Sequence, residues 1–197
     1  MEWALIESWG DFKAFVRADF KSRGQALSLR TWLLDPVARL TWLMRLEEYL
    51  LNSGWPALLR APITFWFRRL SVRLGFSIGP NIFGPGVAIV HYGLLVIDPT
   101  TRIGKNCRVH MGTHIGGTPK FVPPEDVPKY SPRIGDNAYL GPGCKIYGPV
   151  RIGDDCVVGA NAVVTKSFAD RGLVIAGVPA KVIGTGGSGE LVIKGAG

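Results

Sequence analysis

The chain has 197 residues, 47% of them hydrophobic, and carries a formal net charge of +8, so it can bury one ordinary core or two small ones and its field attracts anions. Met1-Glu2-Trp3 offers no cationic leader and no uninterrupted apolar run reaches the ~18 residues of a membrane span, so the expected setting is cytoplasmic. The basic balance comes with no nucleic-acid-binding motif, and the three cysteines occupy small inward positions of a repeat, which argues for packed thiols and against a disulfide framework or a metal site.

Residues 1–75 read as a helical N-terminal domain. Asp35-Pro36 has the form of a helix start, with Asp as N-cap and Pro at the first helical position. Leu40, Leu43, Met44, Leu46, Leu50 and Leu51 follow at helical spacing until Asn52-Ser53-Gly54. A second helix is expected from Pro56 to Leu74, ending at Gly75. Its Phe65, Trp66, Phe67, Arg68, Arg69 and Arg73 suit a helix lying on an anionic membrane, and equally one packed on a neighbouring helix or subunit.

From residue 76 to 184 the pattern changes to a period of six. Ile97, Ile103, Val109 and Ile115, then Ile134, Leu140, Ile146, Ile152, Val158 and Val164, are each six apart, often followed by Gly. Six fits neither a helix nor a lone strand. It fits a left-handed parallel β-helix of roughly five coils, whose aliphatic residues point into a triangular prism and whose glycines let the corners turn. The expected fold is therefore mainly β: a left-handed parallel β-helix behind an α-helical domain that caps its N-terminal end. Between Ile115 and Ile134 the spacing slips to nineteen, and a proline-rich stretch marks an excursion loop over 119–132. The glycine-rich residues 185–197 read as a flexible tail.

No nucleophile elbow, Walker motif or dinucleotide fingerprint is present, so the chemistry expected is general-base catalysis by one of three histidines. His110 and His114 lie one and five places after the inward Val109, and both are expected to face away from the prism. His91 precedes His110 by nineteen residues, close to one coil, and coils are ~4.8 Å apart. The two are therefore expected to be neighbours.

From Gly84 to Gly184 the chain resembles the hexapeptide-repeat acyltransferases, and among them the serine acetyltransferase branch. The stretches that carry the resemblance run from Phe83 to His91, Ile103 to Cys107, Ile115 to Thr118, Ile134 to Asn137 and Ala176 to Lys181. The resemblance implies a homotrimer or a pair of trimers, acetyl-CoA in the groove between neighbouring β-helices, His91 as the base that deprotonates an acceptor hydroxyl, and no metal. It also implies CoA contacts at Gly117, Pro142 and Ala160, with Lys181 near the phosphates. The chain departs from the branch where an Asp supports the histidine (here Phe76), at the acid before the histidine (Val90), and at an Arg-His pair that recognises the amino acid (Tyr130 and Ser131). It also ends in Gly197 where many of these enzymes end in isoleucine. These departures favour a sugar or polysaccharide hydroxyl as acceptor, with L-serine left open through Glu125 and Asp126 of the loop and with His110 and His114 as further acceptor contacts. The alternative is a non-catalytic trimeric scaffold or binding module, and peripheral contact with the inner membrane would run through the helical domain.

Overall fold

Small polar side chains start the helices where the apolar pattern begins. In the computed structural model, which describes residues 4–117, 123 and 125–197, Ser8 caps α1 (Trp9–Ser22). Its Oγ accepts from the Asp11 N–H at 3.1 Å, while the Asp11 carboxylate accepts from the Ser8 N–H at 2.8 Å, a reciprocal capping box. Ser28 caps the short α2 (Leu29–Leu34) in the same way. Asp35 caps α3 (Pro36–Asn52) by accepting from the N–H groups of Val37 and Ala38 at 2.8 and 3.0 Å. Pro36 occupies the first turn, as the sequence indicates. α4 (Ala57–Leu74) stops at Gly75, whose φ of 78° is open to glycine. Among the described residues no helix is long and apolar enough to cross a membrane.

The hexads wind into a prism of parallel sheets. The first face holds β1 (Phe76–Ser77), β3 (Leu95–Ile97), β6 (His114–Gly116), β9 (Lys145–Tyr147) and β12 (Val163–Val164). The second holds β4 (Arg102–Ile103), β7 (Arg133–Ile134) and β10 (Arg151–Ile152). The third holds β2 (Ala88–Ile89), β5 (Arg108–Val109), β8 (Tyr139–Leu140), β11 (Val157–Val158) and β13 (Val174–Ala176), and β14 (Lys181–Gly184) closes it as an antiparallel edge. Ile103, Ile134 and Ile152 are stacked in register, as are Val109, Leu140 and Val158, and all lie in the core. The fold is the left-handed β-helix with a helical N-terminal part that the repeat implies.

Three stacked cysteine, alanine or asparagine positions explain how the corners close. Cys107, Ala138 and Cys156 fill the interior beside the second-to-third corner, and Asn106, Asn137 and Asp155 turn that corner with φ of 55–57°. Asn and Asp tolerate this left-handed region better than other side chains. The Asn106 amide donates to Asn137 Oδ1 at 2.9 Å and the Asn137 amide to Asp155 Oδ1 at 2.8 Å, so each corner steadies the next.

One coil step differs from the others. Arg108 pairs with Tyr139, 31 residues on, whereas Tyr139 pairs with Val157 after the usual 18. The difference is the excursion, inserted without loss of register. Residues 118–122 and 124 of this region, including part of the expected loop 119–132, lie outside the described residues. The remainder is not wholly irregular: Val127–Tyr130 forms one helical turn, α5. Ser131, buried, donates to the Val127 carbonyl and Thr100 Oγ1, both at 2.7 Å, and so ties the returning chain to the previous corner.

The helical part and the prism share one core. Val37, Leu40, Leu43 and Met44 of α3 and Phe67 and Leu74 of α4 belong to the same apolar cluster as Phe76, Ile82, Phe83 and the prism interior. Phe67 is therefore buried by its own chain, while Phe65 and Trp66 stay exposed. A buried polar clamp fastens this join. Arg45, 0% exposed, donates to both oxygens of Asp19 (2.8 and 3.2 Å), to Glu48 (2.8 Å) and to the carbonyls of Phe83 and Gly84 (2.8 Å each). Asp19 also accepts from the N–H groups of Gly86 and Val87, and Glu48 from that of Asn81.

The last residues do not hang free, as their composition suggests. Ser188 is buried and donates to the Asn137 carbonyl, and the Ala196 N–H donates to Asn106 Oδ1 at 2.8 Å. Lys105 Nζ donates to the Gly197 carbonyl at 2.6 Å. Gly195 passes so close to α1 that a Cβ there would meet the Ala18 carbonyl oxygen at 2.0 Å. The tail is a strap laid back along the asparagine corner, held because that corner has spare amide groups that glycine-rich backbone can approach.

Candidate active site

β2 and β5 of the third face end side by side and deliver two histidines to the next corner. Their register sets Ile89 beside Val109, so Val90 is level with His110 and His91 lies one residue beyond it. The coil step here is 20 residues, one more than the 19 that separate the two histidines in sequence. The rings are still neighbours, with centroids 6.4 Å apart. Tyr139, two residues before the matching corner on β8, brings its ring to 5.0 Å from that of His110.

The two imidazoles differ in surroundings. His91 is exposed, whereas His110 is half-buried and its Nε2 has no hydrogen-bond partner. Burial first, then the positive charge of Arg108 and the neighbouring His91, hold the His110 pKa below the ordinary histidine value. His110 is therefore neutral at pH 7, with one ring nitrogen able to accept a hydrogen bond. Phe76, where the resemblance would place a supporting carboxylate, packs in the core against the strand of Leu95 and offers His91 nothing polar.

Below the histidines the same corner continues as an exposed edge. The Gly143 N–H donates to the Met111 carbonyl, the Asn161 N–H to that of Pro142, and the Val163 N–H to that of Gly177. Pro142 and Ala160 both face outward there, and Lys181, exposed, follows the Gly177–Ala180 turn at the far end. From the level of His91 to that of Gly177 is four steps, ~19 Å at ~4.8 Å each.

The other expected residues lie elsewhere. His114 stands on the first face, paired with Lys145, and its Nδ1 is 3.1 Å from the Tyr147 hydroxyl. Gly117 follows β6 at the opposite end of that face; its φ of 97° and a Gly148 N–H that a Cβ would meet at 2.8 Å both require glycine. Glu125 and Asp126 lie beyond it in the excursion, with Glu125 exposed and Asp126 paired to Lys129. Within one chain, then, the histidine corner holds His91, His110, Pro142, Ala160 and Lys181, and the far end of the first face holds Gly117, Glu125 and Asp126. Sequence spacing gave no sign of Tyr139, or of Arg108, which projects on the same side of β5 as His110. An alternation of two along the strand would have found both. Among the described residues no group of three or more His, Cys, Asp and Glu side chains could hold a metal ion.

Comparison with known proteins agrees with this architecture. The family described as bacterial transferase hexapeptide (six repeats) matches residues 131–166. A serine acetyltransferase of Helicobacter pylori is 35% identical over 163 residues, covering 76% of this chain and 90% of that protein. The chain belongs to the serine acetyltransferase family. The serine acetyltransferase of Mycobacterium tuberculosis is 33% identical over 150 residues, and there the match spans 76% of this chain but only 61% of the relative. Among solved structures, the Neisseria gonorrhoeae serine acetyltransferase superposes with a TM-score of 0.68 at 24% identity, covering 89% of this chain and 66% of that one. The Brucella abortus serine acetyltransferase in complex with coenzyme A gives 0.69 at 23% identity, covering 91% and 69%. At those identities the structures speak for the fold.

Proposed function

We propose that this family member transfers an acetyl group from acetyl-CoA to a hydroxyl, with His91 as general base. The observation that carries the reading is the corner itself: an exposed imidazole at one end, a lysine at the other, and an edge of small residues and open backbone between them over a length suited to an extended pantetheine arm. His91 takes the hydroxyl proton as the oxygen attacks the thioester carbonyl. CoA leaves as the thiol once the tetrahedral intermediate collapses and the proton is returned to sulfur. A histidine base in the neutral form at pH 7 contributes ~10²–10⁴ to such a step. With Phe76 inside the core, the neutral His110 is the polar group beside His91 able to accept from it or from the acceptor.

The halves of the site lie at opposite ends of the first face, which favours an assembly in which one chain's Gly117, Glu125 and Asp126 approach another chain's histidine corner. We therefore propose a homotrimer. The names of the relatives favour L-serine over the sugar hydroxyl expected from the charge departures alone. The test is thioester consumption with L-serine, and with a nucleotide sugar in parallel, for the native chain and His91→Ala. Turnover of L-serine that falls ~100-fold or more in the variant is expected. Acetyl-CoA binding with no transfer to either acceptor would instead support the scaffold reading.

A further inference from the structure

A second recess lies directly beside the histidines, on the outer side of the third face. Residues that follow α1 fold over β2 and enclose a cavity of about 120 Å³ lined by Arg23, Gln25, Ala88, Ile89, Val90 and Arg108. The volume suits one small polar group and no more. Its position is informative, because Val90 immediately precedes His91 and Arg108 lies two residues before His110 on the same side of β5. The charge of Arg108 already reaches His110.

The polar lining is unfinished. Arg23 has a side chain 9% exposed and uses one edge of its guanidinium on Asp35, at 2.6 Å. Gln25 donates to the same carboxylate at 2.8 Å. That leaves Arg23 Nη1 and Gln25 Oε1 buried without a partner. A buried donor left unpaired is costly, so such atoms call for an explanation. Asp35 balances Arg23, and among the described residues no carboxylate pairs with Arg108. The recess therefore has one uncompensated cation, one free guanidinium edge and one free acceptor.

We propose that this recess binds the anionic group of the acceptor, a carboxylate or a phosphoryl group, and so fixes the acceptor's hydroxyl toward His91. The anion lies between Arg108 and the free edge of Arg23, and Gln25 Oε1 receives a donor from the same ligand. A guanidinium suits either oxyanion because its planar N–H groups match two oxygens at once. Val90 supplies the apolar wall that keeps water from competing. The inference rests on the histidine corner being the acceptor end of the site proposed above.

The experiment measures binding to the full chain by calorimetry, with acetyl-CoA absent, for matched probes: L-serine against L-serinamide, D-glucuronate against D-glucose, and glucose 1-phosphate against glucose. The expected result is a preference of at least ten-fold for one charged probe over its neutral twin, lost in Arg108→Gln and kept in Arg151→Gln, which removes a cation from a different face. The probe that shows it separates a carboxylate of an amino acid, a carboxylate of a sugar acid and a phosphoryl ester. Equal binding of all twins, binding of none, or a preference that survives Arg108→Gln would overturn the inference. A charge preference without any acetyl transfer would leave the recess standing and remove the transferase reading, while transfer with no charge preference would do the reverse.

Discussion

Arg45 is the single cation between two buried carboxylates and two backbone carbonyls, and replacing it tests how the helical part is held to the prism. Arg45→Met keeps the length of the side chain and removes every donor. Asp19 keeps its two N–H donors, and Glu48 keeps the one from Asn81, but both lose their counter-charge; the carbonyls of Phe83 and Gly84 lose a donor each. Breaking a buried ion pair from one side costs about 3–5 kcal/mol, so urea unfolding at pH 8 and fixed protein concentration should show a loss of that size. The loss should shrink at pH 5. Burial pushes the carboxyls of Glu48 and Asp19 above the ordinary range even beside Arg45, while the cation itself is held more firmly protonated by the two acids. A carboxyl whose pKa is raised by folding binds more protons in the folded state, so its contribution worsens as pH rises through the folded value and improves on acidification. Without the cation that slope steepens. Neutral replacements, Arg45→Met with Asp19→Asn and Glu48→Gln, should recover more than half of the loss, because no buried charge is then stranded. A loss under about 1 kcal/mol at pH 8, or one that is the same at both pH values, would refute the assignment of the clamp.

Three further outcomes follow from local geometry. Gly135→Ala places a Cβ 2.3 Å from Asp154 Oδ1 and 2.7 Å from the Asp154 N atom, so calorimetry should show a loss of about 1–3 kcal/mol, whereas Gly116→Ala, whose nearest neighbour is 3.6 Å away, should stay within about 0.5 kcal/mol; equal melting temperatures would contradict this. Burial pushes the Cys144 thiol up to about 11 and raises Cys107 and Cys156 as well, so a thiol reagent at pH 8 should label none of the three in the native protein and all three after unfolding; fast native labelling would refute it. His110 has a folded pKa below its unfolded one, so its contribution is full above about pH 6.5 and is lost as pH falls through the unfolded value toward the folded one. His110→Gln should therefore flatten the decline in stability between pH 7 and pH 5, and parallel curves for the two proteins would show that His110 is not a source of that decline.

The repeat was legible because each hexad is a local statement. Ile103, Val109 and Ile115 each point inward whatever the rest of the chain does, and the corner after each follows from the same six residues. Helix starts at Asp35-Pro36 and the stop at Gly75 were legible for the same reason. The histidine pair was half legible. Spacing near one coil brought His91 and His110 together, but a coil of 20 residues in place of 19 shifts which side chains are level, and no hexad rule counts the residues in a corner. The clamp and the anion recess were not legible at all. Asp19 meets Arg45 across 26 residues, Arg45 meets Phe83 across 38, and Arg23 meets Arg108 only because α1 lies on β2. Composition misled on the tail, since glycine-rich backbone is free only when nothing nearby offers it hydrogen bonds.

The excursion enters between two coils and returns in register, adding thirteen residues to one turn without disturbing the turn above or below. Such an arrangement separates what evolves from what supports. The ladder of inward aliphatics tolerates any insert whose two ends meet at the corner, so this segment is free to lengthen, shorten or change its chemistry, and selection for a new substrate would leave its record there and at the recess under α1 while the prism stayed as it is.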